Sequence, residues 1–145
     1  MKVKIKKIDE RAIIPQYATL GSACFDLHAI VDLEEVIHPG GGREVFSTGL
    51  AFEIPSGHVM LMFSRSGMGR KHGVALSNCV GVIDSDYRDE VKVPLINHGF
   101  TPYHVSHGDR IAQAMVIPVD RVEFEEVEEL SETERGLNGF GSSGR

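Results

Sequence analysis

Apolar and polar positions alternate along this chain in short runs. Val3 and Ile5 stand between lysines at the start, and Leu50, Phe52 and Ile54 alternate in LAFEI. HVMLMF (58–63), EVKVPLI (90–96) and IAQAMVIPV (111–119) are short apolar or alternating stretches, and Val122 and Phe124 alternate with acids in VEFEE. A period of two over a few residues marks half-buried strands. Sixteen glycines and six prolines punctuate the runs, and HPGGG, IPSG, NHGFTP and SHGD read as turns. No long segment has helical periodicity. SGMGRKHG admits one short helical turn, its two interior glycines arguing against more. The expected fold is all-β, a sandwich or barrel of many short strands, with no internal repeat and no linker between domains.

The pattern stops near the end. From Ser131 the chain reads SETERGLNGFGSSGR, with one leucine and one phenylalanine among polar residues and glycine. Such a segment buries little apolar surface, so by itself it is expected to be a mobile tail. The expected division is a β-rich core over 1–130 and a glycine-rich tail over 131–145.

Composition narrows the function. A length of 145 residues fits one domain with a real core, and no apolar run is long enough to span a bilayer. MKVKIKKIDE lacks the apolar centre of a signal peptide, so a cytoplasmic protein with no membrane partner is expected. Cys24 and Cys79 show no CxxC spacing and are expected to be reduced and buried. A net charge of −6 argues against a general nucleic-acid binder. It leaves room for a small anion if cations gather locally.

Several stretches carry candidate chemistry, each with a plainer reading beside it. GVIDSDYRDEV (81–91) places Val82 and Ile83 directly before Asp84. Its acids are either solvated in an exposed turn or include a carboxylate, Asp84, that orients water as a general base. Tyr87 offers a flat face for a sugar or base. SRSGMGRKHG (64–73) is either a basic surface loop or a phosphate cradle, with Arg65 supplying charge, Ser66 a donor, and glycine close backbone approach. It lacks Walker A spacing. In GDRIAQ, Gln113 sits among apolar neighbours, and a buried amide needs partners. Arg135 and Phe140 belong either to a disordered end or to a lid that closes on a ligand. His98, His104 and His107 lie close together, but no helix or cysteine pattern accompanies them as a zinc site would require. Asp26, between Phe25 and Leu27, reads as a capped or salt-bridged carboxylate.

In this order, GSACFDLHA, SRSGM, NCVGVIDSDYRDEV, GDRIAQAMV and RGLNGFGSSG closely resemble the five motifs of the homotrimeric deoxyuridine triphosphatases (dUTPases), from about residue 20 to the end. The resemblance implies a small jelly-roll-like β subunit that assembles as a trimer, each site drawing on three chains. It implies hydrolysis of dUTP to dUMP and pyrophosphate, which limits uracil incorporation into DNA and supplies dUMP for dTMP synthesis. It makes Asp84 the general base. It places Asn78 at the uracil edge within a hairpin, with Val82, Ile83 and Lys92 lining the nucleoside pocket and Tyr87 beneath deoxyribose. Arg65, Ser66 and Gly67 would hold phosphates, and Gln113 would position the phosphate chain. From the tail, Arg135 would reach the terminal phosphate, Phe140 would stack over uracil, and Gly141 and Ser142 would add donors. Mg2+ would be held mainly by the phosphates, with Asp26 touching it through water.

The chain departs from the family pattern at Ser64, where proline often precedes RSG. Cys24, Asp89 and Asn138 stand where glycine is usual. Two other readings are a deoxycytidine triphosphate deaminase of the same fold and a non-catalytic nucleotide-binding trimer. IDSDY and the glycine-rich tail favour hydrolysis over the first, and the joint presence of Asp84, Ser66, Gln113, Arg135 and Phe140 argues against the second.

Overall fold

The computed structural model describes residues 1–139. Its largest sheet runs in the order β2 (Phe25–His28), β11 (Arg110–Pro118), β6 (His58–Phe63), β8 (Val80–Ile83). A three-stranded sheet has β9 (Lys92–Asn97) between β4 (Gly42–Ser47) and β7 (Val74–Leu76). Two ribbons complete it: β1 (Lys4–Lys7) with β5 (Leu50–Glu53), and β3 (Glu35–Ile37) with β10 (Tyr103–Val105). Every pairing is antiparallel. The result is the all-β, jelly-roll-like arrangement that short alternating strands with frequent turns favour.

The sheets close on one core because each strand sends alternate residues inward. Leu27, Met60, Met62, Ala112 and Ala114 come from the large sheet, Phe46, Val74, Val93 and Leu95 from the smaller, and all belong to one buried cluster. Truncating Phe46, 1% exposed, to alanine would cost about 3–5 kcal/mol. Gly81 faces Met62 across the β6–β8 ladder, where a Cβ would stand 2.7 Å from Met62 Cε. Any side chain there would push a core methionine out of place.

Three features differ from the sequence expectation. The only helix among the described residues, α1 (Ser66–His72), spans seven residues rather than one turn. Met68 anchors it in the core, and Gly73, at φ 70°, caps its end with an N–H directed at Gly69 and Met68 carbonyls. That anchoring outweighs the helix cost of Gly67 and Gly69. The VEFEE alternation does not form a strand: β11 ends at Pro118, and residues 119–139 are exposed without a pairing strand among the described residues. Cys79 is exposed rather than buried, because it occupies a turn at φ 63°. Cys24 is partly buried, and both thiols are free. No described helix is long and apolar enough to cross a membrane.

Candidate functional site

The stretch 81–91 is not a hairpin in the ladder sense. β8 pairs with β6, whereas β9 pairs with β4 and β7, so residues 84–91 cross from one sheet to the other. Strands that part in this way leave a gap between them. The gap is a cavity of about 320 Å3 lined by Asn78, Val82, Ile83, Asp84, Tyr87 and Lys92, with Val45 and Pro94 behind them.

Local chemistry keeps the gap open. Ser77 N–H donates to Pro94 carbonyl at 2.9 Å. In an antiparallel pair the return bond would come from residue 94, but proline has no N–H. Pairing therefore ends there, and the chain turns through Asn78 and Cys79. On the far side, Val91 N–H donates to Leu50 carbonyl at 2.9 Å, and the buried Thr48 hydroxyl donates to Val91 carbonyl at 2.6 Å. Glu90 Oε1 accepts Gly49 N–H at 2.8 Å. The crossing is thus clamped at its return. Within it, Tyr87 N–H donates to Asp84 carbonyl at 3.2 Å, and Tyr87 Oη–H to Glu90 carbonyl at 3.0 Å. The hydroxyl is engaged, so Tyr87 presents a ring face. Asp84 stands at the lip, exposed, with no hydrogen-bond partner for its carboxylate among the described residues. Lys92 Nζ lies 3.7 Å from Glu90.

A second cavity, about 350 Å3, opens at the end of the large sheet. Arg65, Ser66, Gly67, Gln113 and Asp26 line it, together with Arg110 and Cys24. Antiparallel pairing puts Gln113 opposite Asp26 on one side and Phe63 on the other. This sets the exit of β6 and the strand β2 on the two flanks of β11, one strand apart. Asp26 Oδ1 accepts Arg65 Nε at 2.9 Å, and Oδ2 accepts Arg110 Nη1 at 3.3 Å. Arg65 Nη1 also donates to Arg110 carbonyl at 3.1 Å, and Gln113 Nε2 donates to Ser64 carbonyl at 3.0 Å. Two guanidinium groups against one carboxylate leave a net positive cavity with hydroxyl and backbone donors, suited to a multiply charged anion.

Two titratable groups beside this cavity are shifted. Burial raises the Cys24 thiol, and Asp26 adds to the shift. Burial depresses His28, outweighing Asp26, with Arg110 and Arg65 pushing the same way. His28 Nδ1 is buried without a partner.

The structure therefore gathers the candidate residues into two groups, one per cavity. Arg135 joins neither. It lies exposed in the segment where Gly136 N–H bonds Thr133 carbonyl and Asn138 N–H bonds Arg135 carbonyl. Phe140, Gly141 and Ser142 lie outside the described residues. Among the described non-glycine residues only Cys79 has positive φ, so Cys24, Asp89 and Asn138 carry no such strain. Arg110, Val45 and Pro94 were not singled out from sequence. Arg110 had a faint signal, its place in GDRIAQ. The other two had none. No group of three or more His, Cys, Asp or Glu residues that could hold a metal forms among the described residues, and His104 is paired instead with Glu34 at 2.7 Å.

Fold and cavities together define a class: small jelly-roll-like proteins equipped for an anionic ligand with a planar part. Comparison makes this specific. The dUTPase family model matches residues 10–144. Deoxyuridine 5'-triphosphate nucleotidohydrolase of Nautilia profundicola is 51% identical over 145 residues, covering 100% of both chains. That of Helicobacter hepaticus is 49% identical, covering 99% of this chain and 89% of its own. The structure of Staphylococcus bacteriophage 80alpha dUTPase with dUpNHpp superposes with a TM-score of 0.88 at 27% identity, covering 99% of each chain. A mutant dUTPase from phage phi11 of S. aureus, described with a structural Mg(II) ion, shares the fold at TM-score 0.82 and 22% identity, covering 91% of this chain and 100% of its own. The chain belongs to the dUTPase family.

Proposed function

We propose that this chain hydrolyses dUTP to dUMP and pyrophosphate, by in-line attack of water on the α-phosphorus, as a homotrimer with sites shared between copies. The reaction limits uracil incorporation into DNA and supplies dUMP for dTMP synthesis. The observation that carries this reading is the division of the site. The cleft between β8 and β9 and the arginine-bearing cavity share no lining residue in one chain. Each copy then holds a nucleoside half-site and a phosphate half-site, and assembly joins unlike halves from different copies. On this reading residues 1–130 form the core domain and 131–145 the tail that closes over the site. The protein works in the cytoplasm on a small molecule, without nucleic-acid or membrane partners.

The chemistry asks little covalent work of the protein, so positioning and charge neutralisation carry it. Asp84, with an unengaged carboxylate, takes a proton from the attacking water. Asn78 and the neighbouring backbone read the uracil edge, Val82, Ile83 and Lys92 line the nucleoside pocket, and the ring of Tyr87 packs beneath deoxyribose, excluding a 2′-hydroxyl. Backbone groups arranged for uracil would be left unpaired by cytosine, which disfavours dCTP. Arg65, Ser66 and Gly67 hold phosphates, with Gln113 setting the loop that carries them. Arg135, Phe140, Gly141 and Ser142 close from the tail. The donor set fits a metal carried by the phosphates: the phosphate cavity offers one carboxylate, Asp26, which would touch the ion's water shell. Mg2+ bound there would neutralise phosphate charge.

The test is release of dUMP and pyrophosphate from dUTP with Mg2+, run beside dCTP, dTTP and UTP. Selective turnover of dUTP is expected. Ammonia from dCTP, or dUTP binding without product, would overturn the assignment.

A further inference from the structure

We propose that Ser64 is a positioning residue for the phosphate loop, acting through a hydroxyl that ties the loop to the opposite sheet. The inference rests on the reading of Arg65, Ser66 and Gly67 as phosphate-binding. β6 ends at Phe63 and α1 begins at Ser66, so only Ser64 and Arg65 connect them. Both polar groups of Ser64 that face neighbours are engaged. Its carbonyl accepts Gln113 Nε2 at 3.0 Å, from the large sheet. Its hydroxyl oxygen accepts Leu76 N–H at 2.8 Å, from the smaller sheet.

The second bond has a structural reason. β7 is an edge strand, paired only with β9. Leu76, 2% exposed, would leave a buried N–H unpaired on that open edge if Ser64 Oγ were absent. One residue thus spans the two sheets just where the chain delivers Arg65. Beyond it, Asp26 and the Arg110 carbonyl orient the Arg65 guanidinium. Side-chain aim is therefore set by β2 and β11, whereas the backbone position of Arg65 and Ser66 is set by Ser64. The turn at Asn78 has its own supports, Ser77 N–H to Pro94 carbonyl and Cys79 N–H to Leu76 carbonyl, so loosening Ser64 should spare the nucleoside cleft.

The experiment compares Ser64→Ala, Ser64→Thr and Arg65→Ala in the full-length protein. It measures kcat and KM for dUTP, inhibition constants for magnesium pyrophosphate and for deoxyuridine, and the thermal midpoint. Ser64→Ala is expected to raise KM and the pyrophosphate constant about fivefold, the worth of one net hydrogen bond. The deoxyuridine constant should stay near the parent value, the thermal midpoint should fall by a few degrees because the buried Leu76 N–H loses its acceptor, and Ser64→Thr should restore both midpoint and pyrophosphate affinity. An unchanged pyrophosphate constant in Ser64→Ala, alongside weakened binding in Arg65→Ala, would overturn the proposal while leaving the phosphate-loop reading in place. Equal weakening of pyrophosphate and deoxyuridine binding in Ser64→Ala would reduce Ser64 to a fold-stability role and also overturn it. Unchanged pyrophosphate binding in Arg65→Ala would remove the phosphate-loop reading and this inference with it.

Discussion

Asp26 holds Arg65 and Arg110 at once, its two oxygens accepting from Arg65 Nε at 2.9 Å and Arg110 Nη1 at 3.3 Å. The pair with Arg65 is largely shielded, the two side chains being 26% and 19% exposed, so solvent screening weakens it less than it would a surface pair. An arginine held in place before substrate arrives loses less freedom when a phosphate binds. Asp26→Ala is therefore expected to raise KM for dUTP about tenfold, the effect of removing a charge-assisted contact. It should also raise the Mg2+ concentration for half-maximal rate, if the carboxylate touches the ion's water shell. Steady-state kinetics across a Mg2+ titration reads both. An unchanged KM would show that the arginines need no carboxylate to hold them.

Asp84 is placed differently, at the lip of the cleft and without a bonding partner among the described residues. A carboxylate acting only as base should matter to the chemical step and little to binding. Asp84→Asn is expected to bind dUTP with nearly parental affinity and to lose about 10²–10⁴-fold in turnover. Calorimetric titration with dUTP beside single-turnover hydrolysis separates the two. Full turnover in the variant would remove Asp84 from the role.

Val122 and Phe124 are 69% and 93% exposed on an arm that follows the last strand, and Leu130 is 88% exposed. Covering side chains of this kind contributes about 1.5–3 kcal/mol each, which a second copy could supply. Ending the chain at Glu134 should leave folding and trimerisation intact and impair dUTP hydrolysis, because Arg135 and the rest of the tail are gone. Ending it at Val119 should leave a folded core that no longer trimerises. Light scattering and dUTP turnover on both truncations decide the matter. Full activity in the first would end the lid reading, and a trimer from the second would place the contact elsewhere.

Much of this arrangement was legible in the sequence. HVMLMF became β6, EVKVPLI supplied β9 and IAQAMVIPV supplied β11, because period-two alternation is a local property. β3 and β10, three residues each, pair across the width of the chain, and no local pattern encodes that meeting. The site divides the same way. Motif order marked Asp84, Asn78, Tyr87, Arg65 and Ser66. The contact of Asp26 with Arg110 depends on the register of β2 against β11, which slips between Arg110 and Ala112. The crossing between sheets at 84–91 depends on which strands flank β8 and β9. A missing N–H at Pro94 acquires meaning only once Ser77 is seen opposite it.

His28 should give the fold a dependence on acidity. It sits on β2 opposite Arg110, with Nδ1 buried and unpartnered. Burial depresses its folded-state value below the ordinary 6.5; Asp26 opposes the shift, while Arg110 and Arg65 add to it. The unfolded chain therefore takes up a proton at a pH where the folded chain does not. By linkage, stability is unaffected by this group above the ordinary histidine value and falls as pH drops below it, levelling only once the folded-state value is passed. Replacing His28 with leucine removes the protonation site while keeping an apolar side chain. Between about pH 7.5 and about pH 5.5 the parent should lose more thermal midpoint than His28→Leu, other acid-sensitive groups being common to both. Superimposable pH profiles for the two proteins would show that His28 can take its proton without opening the fold.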